Sequence, residues 1–267
     1  MSLQYNRPQT VAEAAELLQQ PGRRAVPLAG GTWLTPRLRT DVDIPDSLAG
    51  EVDVVVDLAD LPLSYVVSEG EAGSGALRIG ATTRLSVIMD DPLCQALAGG
   101  ILAEAARRAG PLNLRNSATI GGCVAARGPV LELTLVLAAL NGSVVFSDGS
   151  ADSTLRTSRS DLLITEIVVP WPAGDVRGGL ARVARTPADQ PIVAAAAVVN
   201  TSGVRVVLGG VAQQELVVTV SSAVDLAEAV AVQLAAAQPI ADFRGSAEYC
   251  QAMAPIIARR AVEAALR

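Results

Sequence analysis

The sequence predicts an α+β protein with a large N-terminal part and a smaller C-terminal α+β unit. Two observations carry this, and a third bears only on ligand motifs. Residues 1–175 mix short apolar strand runs with helices, punctuated by Gly and Pro. From about residue 178 the pattern changes to a strand pair followed by two helical stretches. Neither GxGxxG nor GxxxxGK[ST] occurs, so the usual Rossmann and P-loop fingerprints are missing.

In order along the chain, Thr10-Val11-Ala12-Glu13 reads as a capping box opening a helix that buries Val11, Ala14, Leu17 and Leu18 and stops at Pro21-Gly22. Ala25 to Leu28 is a short buried strand. Residues 36–50, with Pro36, Pro45 and Gly50, read as loop, and Val52 to Leu58 as a β-branched strand. Leu63–Val67 and Leu77–Gly80 form a hairpin around 68–75. Asp91-Pro92 starts a helix with Asp as cap and Pro at its first position; Gly99-Gly100 interrupts it, Ile101–Ala109 continues it, and Gly110-Pro111 stops it. Leu131–Leu140 is an apolar helix ending at Asn141-Gly142, with strands at 143–147 and Leu162–Val169. Ile192–Val199 and Val204–Leu208 pair around Asn200–Gly203, before helices at roughly 222–237 and 246–266.

Composition excludes several chemistries. The chain has 267 residues, half of them apolar and only 3% aromatic, so its core is built from Ala, Val, Leu and Ile. The net charge is 21 − 27 = −6 and no long basic run occurs, which argues against nucleic acid. No apolar stretch is long enough for a membrane span, and the N-terminus lacks a signal pattern. Cys94, Cys123 and Cys250 are far apart and match no metal spacing, so neither a disulfide framework nor a cluster held by this chain alone is expected; a reducing cytoplasm is. There is no histidine, which excludes Ser-His-Asp and Cys-His catalysis, His-based zinc sites and histidyl-linked flavin. Any redox chemistry here belongs to a bound cofactor.

Two glycine-bearing stretches invite a ligand: Val26-Pro27-Leu28-Ala29-Gly30-Gly31-Thr32-Trp33 and Ala118-Thr119-Ile120-Gly121-Gly122-Cys123. Gly pairs at strand ends let the backbone approach a ligand closely, and N–H groups with neighbouring hydroxyls suit phosphate. Gly pairs also stand at 99–100, 178–179 and 209–210, so spacing alone reads as an ordinary turn as readily as a site. Arg115-Asn116, just before the second stretch, can face a pyrophosphate or satisfy loop carbonyls.

The chain resembles the FAD-binding medium subunits of the molybdenum hydroxylases, the family of xanthine and carbon monoxide dehydrogenases. The family's first turn reads AGGT or AGGHS, and here stands Ala29-Gly30-Gly31-Thr32. Its second reads RNxATIGGN, and here stands Arg115-Asn116-Ser117-Ala118-Thr119-Ile120-Gly121-Gly122-Cys123, running on without a gap to Gly142. Thr165–Pro170, Arg185–Asp189, Leu208–Ala212 and Arg244–Tyr249 match further segments in order.

The resemblance implies a two-subdomain FAD-binding domain of the vanillyl-alcohol-oxidase/PCMH type over 1–175 (subdomains about 1–57 and 58–175), then a small α+β C-terminal domain over 178–267. It implies FAD pyrophosphate and ribityl against Pro27, Leu28, Ala29, Gly30, Gly31, Thr32, Trp33 and Leu34, and against Thr119, Ile120, Gly121, Gly122 and Cys123. Arg115 and Asn116 join that set, with Glu132 at an acidic contact position and Arg182 as the basic residue near the flavin ring. It implies no catalytic side chain and no metal on this chain. Molybdopterin is expected on a large partner and [2Fe–2S] clusters on a small one, with electrons passing from those clusters through FAD here to an external acceptor.

Trp33, Cys123, Arg127-Gly128 and Glu132 depart from the family pattern. They motivate an alternative, a family member that has lost FAD and serves as a structural subunit. A stand-alone flavin oxidase is disfavoured by the short chain and the lack of an evident catalytic base. Cys123 reads as a small buried apolar residue rather than a redox thiol or flavin link. Trp33 reads as a packing or interface aromatic. Arg107-Arg108 and Arg259-Arg260 read as helix C-terminal charges. Asp189 can orient Arg185 or Arg182, or cap a turn.

Overall fold

The computed structural model describes residues 3–40, 52–71, 73–126, 131–153, 155, 162–186 and 189–267. The chain opens with β1 (Gln4–Asn6), α1 (Val11–Leu18) and β2 (Ala25–Leu28). Thr10 caps α1 as predicted: its hydroxyl accepts from the Glu13 N–H at 3.2 Å while the Glu13 carboxylate accepts from the Thr10 N–H at 3.3 Å. Ala14 and Leu18 are buried, whereas Val11 and Leu17 are only half-buried. β3 (Val54–Asp57) lies between β1 and β2 in a parallel three-stranded sheet, order β1-β3-β2, and all four of its residues are buried. Parallel strands present their C-terminal ends together, so Leu28 and Asp57 emerge side by side.

Residues 34–40 form α2 (Leu34–Thr40), where the loop over 36–50 was expected. Pro36 sits in the first turn, where its missing N–H removes no helical bond. The rest of that expected loop, from residue 41 to 50, falls outside the described residues.

The second sheet is antiparallel, order β4-β5-β8-β6-β7. It comprises β4 (Val66–Glu69), β5 (Ala76–Gly80), β6 (Ser143–Phe146), β7 (Ala151–Asp152) and β8 (Ile164–Pro170). The predicted hairpin is β4–β5. Between β5 and β6 lie α3 (Leu85–Asp90), α4 (Pro92–Ala96), α5 (Ile101–Arg108), α6 (Leu112–Ser117), α7 (Ile120–Ala126) and α8 (Leu131–Ala139). Asp91 caps α4, accepting from Leu93 N at 2.9 Å and Cys94 N at 3.1 Å. A single tight turn at Leu97–Gly100, with Ala98, Gly99 and Gly100 all at positive φ, separates α4 from α5. α8 is apolar around its circumference and enclosed: Leu133, Leu135, Val136 and Leu137 are all fully buried.

The C-terminal unit has four strands where two were expected: β9 (Arg177–Val183), β10 (Val193–Asn200), β11 (Gly203–Gly209) and β12 (Leu216–Val220), antiparallel in the order β12-β11-β10-β9. α9 (Leu226–Ala236) and α10 (Ala247–Ala265) follow. Side chains alternate across this sheet. Val193, Ala195, Ala197, Val206 and Leu208 pack with Ala254, Ile257, Ala258 and Ala261 of α10. Leu180, Ala194, Ala196 and Val207 instead join the core formed with α5 and α8. Gly178 and Gly179 serve the two faces: a Cβ at Gly178 would lie 2.5 Å from Ile101 Cβ, and one at Gly179 would lie 2.2 Å from the Ala261 carbonyl oxygen.

Candidate cofactor site

The first glycine stretch leaves the C-terminal end of β2, where the Leu28 carbonyl accepts from Leu58 N at 2.8 Å. Gly31 takes φ +68°, a conformation L side chains rarely adopt. Gly30 needs its missing side chain for another reason. A Cβ there would stand 1.9 Å from the Ser117 carbonyl oxygen and 3.0 Å from Ala118 Cα. The fold therefore brings the two glycine-bearing stretches into backbone contact, across almost ninety residues of sequence.

Among the described residues, nothing accepts from the backbone N–H groups of Gly30, Gly31, Thr32 and Trp33. The Gly31 carbonyl takes the Thr35 N–H at 3.0 Å, so the segment is tied to α2 through its acceptor, leaving its donors available. A row of available N–H groups beside glycines, at the C-terminal end of parallel strands, is an arrangement that suits an anion. Pro27 and Thr32 are exposed, Leu28, Ala29 and Trp33 half-buried, and Leu34 buried. Trp33 packs with Val26, Leu34, Val52 and Val55, and Arg37 stacks on its indole, 4.1 Å from guanidinium carbon to ring centroid.

The second stretch is built differently from the turn expected. Ala118 and Thr119 are an extended link between α6 and α7, and the glycine pair lies in the first turn of α7. Arg84 and Thr119 bridge as an antiparallel pair. Most donors here are already used: Ile120 N to Thr83 O at 3.0 Å, Gly121 N to Ala81 O at 2.9 Å, Cys123 N to Thr119 O at 2.9 Å and Gly122 N to Thr119 Oγ1 at 3.3 Å. Gly121 is buried so tightly that a Cβ would come within 2.7 Å of Ala81 Cβ. Gly122 is exposed, and a Cβ there would meet only Thr119 Oγ1, at 2.9 Å. This half of the site thus offers a smooth glycine surface and the Thr119 hydroxyl more than a set of N–H donors.

Arg115 takes the carbonyl option: its Nη1 donates to Arg107 O at 3.0 Å and Gly110 O at 2.5 Å, while its Nε is buried without a partner. Asn116 is exposed. Cys123 is 4% exposed, and burial pushes its thiol up to about 12, so no thiolate forms near neutrality. Arg127 and Gly128 fall outside the described residues.

Glu132 and Arg182, picked from distant parts of the sequence, meet. Arg182 Nη1 lies 2.9 Å from Glu132 Oε1. Arg205, which sequence reasoning missed, reaches the other end of the same helix, with Nε and Nη2 each 3.4 Å from Ala138 O. Burial lowers its pKa from the ordinary arginine value. Arg37 was also missed; its i+4 spacing from Trp33 was the available signal. Asp189 caps a turn, accepting from Thr186 N at 3.1 Å, while Arg185 donates to Phe243 O at 2.5 Å. Arg107 and Arg108 pair with Glu104, and Arg259 with Glu263.

Among the described residues no group of His, Cys, Asp and Glu is placed to hold a metal ion.

Comparison with known proteins gives these observations a context. A family model described as the FAD binding domain in molybdopterin dehydrogenase matches residues 1–172. The chain is 34% identical over 218 residues to an uncharacterised protein of Escherichia coli K12, YgfM, covering 80% of this chain and 76% of that one. It is 31% identical to the carbon monoxide dehydrogenase medium chain of Hydrogenophaga pseudoflava, over 98% of this chain and 96% of the other. A structure of reconstituted CO dehydrogenase from Oligotropha carboxidovorans contains a chain that superposes with a TM-score of 0.85 at 28% identity, covering 99% of this chain and 98% of that chain.

Proposed function

We propose that this chain, which belongs to the FAD-binding medium subunits of the molybdenum hydroxylase family, is the flavin-carrying electron-transfer subunit of a heteromeric oxidoreductase. Its fold is the α+β fold of those medium subunits, a FAD-binding domain followed by an α+β C-terminal domain. The proposal extends this to a large molybdopterin-binding partner that oxidises substrate and a small partner with [2Fe–2S] clusters, from which electrons reach an external acceptor by way of this chain. Bound FAD supplies a redox centre able to exchange electrons singly or in pairs.

The observation that carries the reading is the cradle at Gly30–Trp33, with N–H groups that nothing among the described residues accepts from and with Gly30 in close contact with the Ser117–Ala118 backbone. The residues fit a pyrophosphate-bearing ligand there. Gly30, Gly31 and Thr32 would hold it through backbone donors, with Pro27, Leu28, Ala29, Trp33 and Leu34 as the wall behind them. Thr119 and Gly122 would contribute from the second stretch, together with Ile120, Gly121 and Cys123. Glu132 and Arg182 add opposite charges further along. The absence of histidine and the separation of the three cysteines suit a chain that lends position and electrostatics while partners hold the metals. No helix among the described residues is long and apolar enough to cross a membrane. Three free, buried cysteines agree with our placement of the protein in a reducing cytoplasm.

The test is flavin content. Full-length protein purified with its neighbouring gene products should release about one FAD per chain on denaturation, and stripped protein should take FAD up again. The spent donors of α7 favour one rival, a structural subunit without flavin. Folded protein that neither releases nor takes up FAD would sink the flavin reading and leave that rival standing.

A further inference from the structure

We infer that Arg37, seated on the Trp33 indole, supplies the positive charge that faces the diphosphate of the bound dinucleotide. The inference rests on the flavin reading above. Backbone N–H groups are neutral dipoles, and a diphosphate carries two negative charges, so a site built from N–H groups alone leaves much of that charge unmatched.

The two arginines that the family resemblance assigns to the site, Arg115 and Arg182, are otherwise engaged. Arg115 directs Nη1 to two backbone carbonyls and buries its Nε. Arg182 is bound to the buried Glu132 carboxylate. Arg37 differs from both. Among the described residues it touches no carboxylate; its contacts are both with Trp33, the stack at 4.1 Å and an Nη1 bond to the Trp33 carbonyl at 2.9 Å.

Trp33 is a positioning residue. Its ring is fixed by the apolar cluster of Val26, Leu34, Val52 and Val55, and it directly follows Thr32 in the cradle. Stacking and the carbonyl bond restrict the long Arg37 side chain before any ligand arrives, which lowers the ordering cost on binding. The guanidinium keeps donors beyond the one used, in the planar fork that suits phosphate oxygens.

The experiment titrates FAD into the full-length, flavin-stripped chain and follows flavin fluorescence at low and high salt, with riboflavin, which has no phosphate, as the uncharged comparison. Arg37→Ala and Arg37→Gln should each weaken FAD about 10-fold at low salt. They should flatten the salt dependence and leave riboflavin unchanged. Arg37→Lys should restore most of the salt dependence. Trp33→Ala should fall toward Arg37→Ala in both FAD affinity and salt dependence. Unchanged FAD affinity and salt dependence in both charge-removing variants overturns the inference and leaves the flavin reading intact. Equal losses for FAD and riboflavin also overturn it, because they indicate a structural role. A parent chain that takes up no FAD overturns the flavin reading and this inference together.

Discussion

Glu132 at the start of α8 and Arg182 on β9 form an ion pair at 2.9 Å, with side chains 4% and 18% exposed. Fifty residues of chain separate them. The pair joins the FAD-binding part to the C-terminal sheet at a point where water is largely excluded. Removing Arg182 leaves a carboxylate buried without its partner. Arg182→Ala should therefore destabilise the protein by about 3–5 kcal/mol, and Glu132→Gln/Arg182→Met together by much less. Denaturant midpoints of the two variants check this. Equal losses would mean the pair itself, and not an orphaned charge, sets the energy.

Gly30 separates the two halves of the cradle by the thickness of a backbone. Gly30→Ala forces a methyl toward the Ser117 carbonyl, 1.9 Å away. The expected cost is about 1–3 kcal/mol of stability, together with loss of flavin uptake. Gly122→Ala meets only the Thr119 hydroxyl at 2.9 Å and should fold nearly normally. Thermal midpoints and flavin content of both variants decide the matter; a Gly30→Ala protein with full flavin would refute the close-contact account.

The buried thiols make a pH prediction. Burial pushes Cys123 up to about 12 and raises Cys94 and Cys250, the last two aided by Asp91 and Asp242 respectively. In the unfolded chain a thiol ionises near about 8.5. Between that value and its folded value, each thiol binds more protons in the native state, so stability falls as pH rises. The stability is fully present below about pH 8.5, and each thiol removes up to about 1.4 kcal/mol per pH unit above it. Urea midpoints from pH 7 to 10 should drop, and Cys123→Ala should reduce the slope. Native protein at pH 8 should also react with a thiol reagent only as it unfolds.

Ligand linkage gives a fourth expectation. FAD at about 100 times its Kd should stabilise the chain by about 2.7 kcal/mol if it binds only the folded state. The shift should shrink in Arg37→Ala and persist in Arg259→Ala, which alters an exposed helical pair far along α10. Thermal scans with and without FAD measure both.

Much of the fold was legible because local chemistry and tertiary role agreed. Thr10 with Glu13, and Asp91 with Pro92, announce helix starts whatever surrounds them. Other elements were hidden for identifiable reasons. Gly178-Gly179 lowers the strand signal of β9, yet those glycines are what let α5 and α10 close on its two faces. Pro36 reads as a breaker, and only its position in the first turn of α2 makes it harmless. The Leu216–Val220 run is β-branched and was a readable strand. At the site, sequence identified the two glycine stretches but not that they touch, nor that α7 spends its own donors on Ala81 and Thr83. Those are long-range backbone facts with no side-chain signature.

α8 is apolar on every side, and part of its cover comes from Ala194, Ala196 and Val207 of β10 and β11. Those strands lie downstream in the chain, so during synthesis the helix leaves the ribosome well before they do. At ordinary elongation rates the wait is roughly 3–14 s. Throughout that interval a helix with no polar face stands partly bare, and a nascent chain in that condition is a natural client for a holding chaperone. The FAD-binding domain cannot complete its core until β10 and β11 have been made.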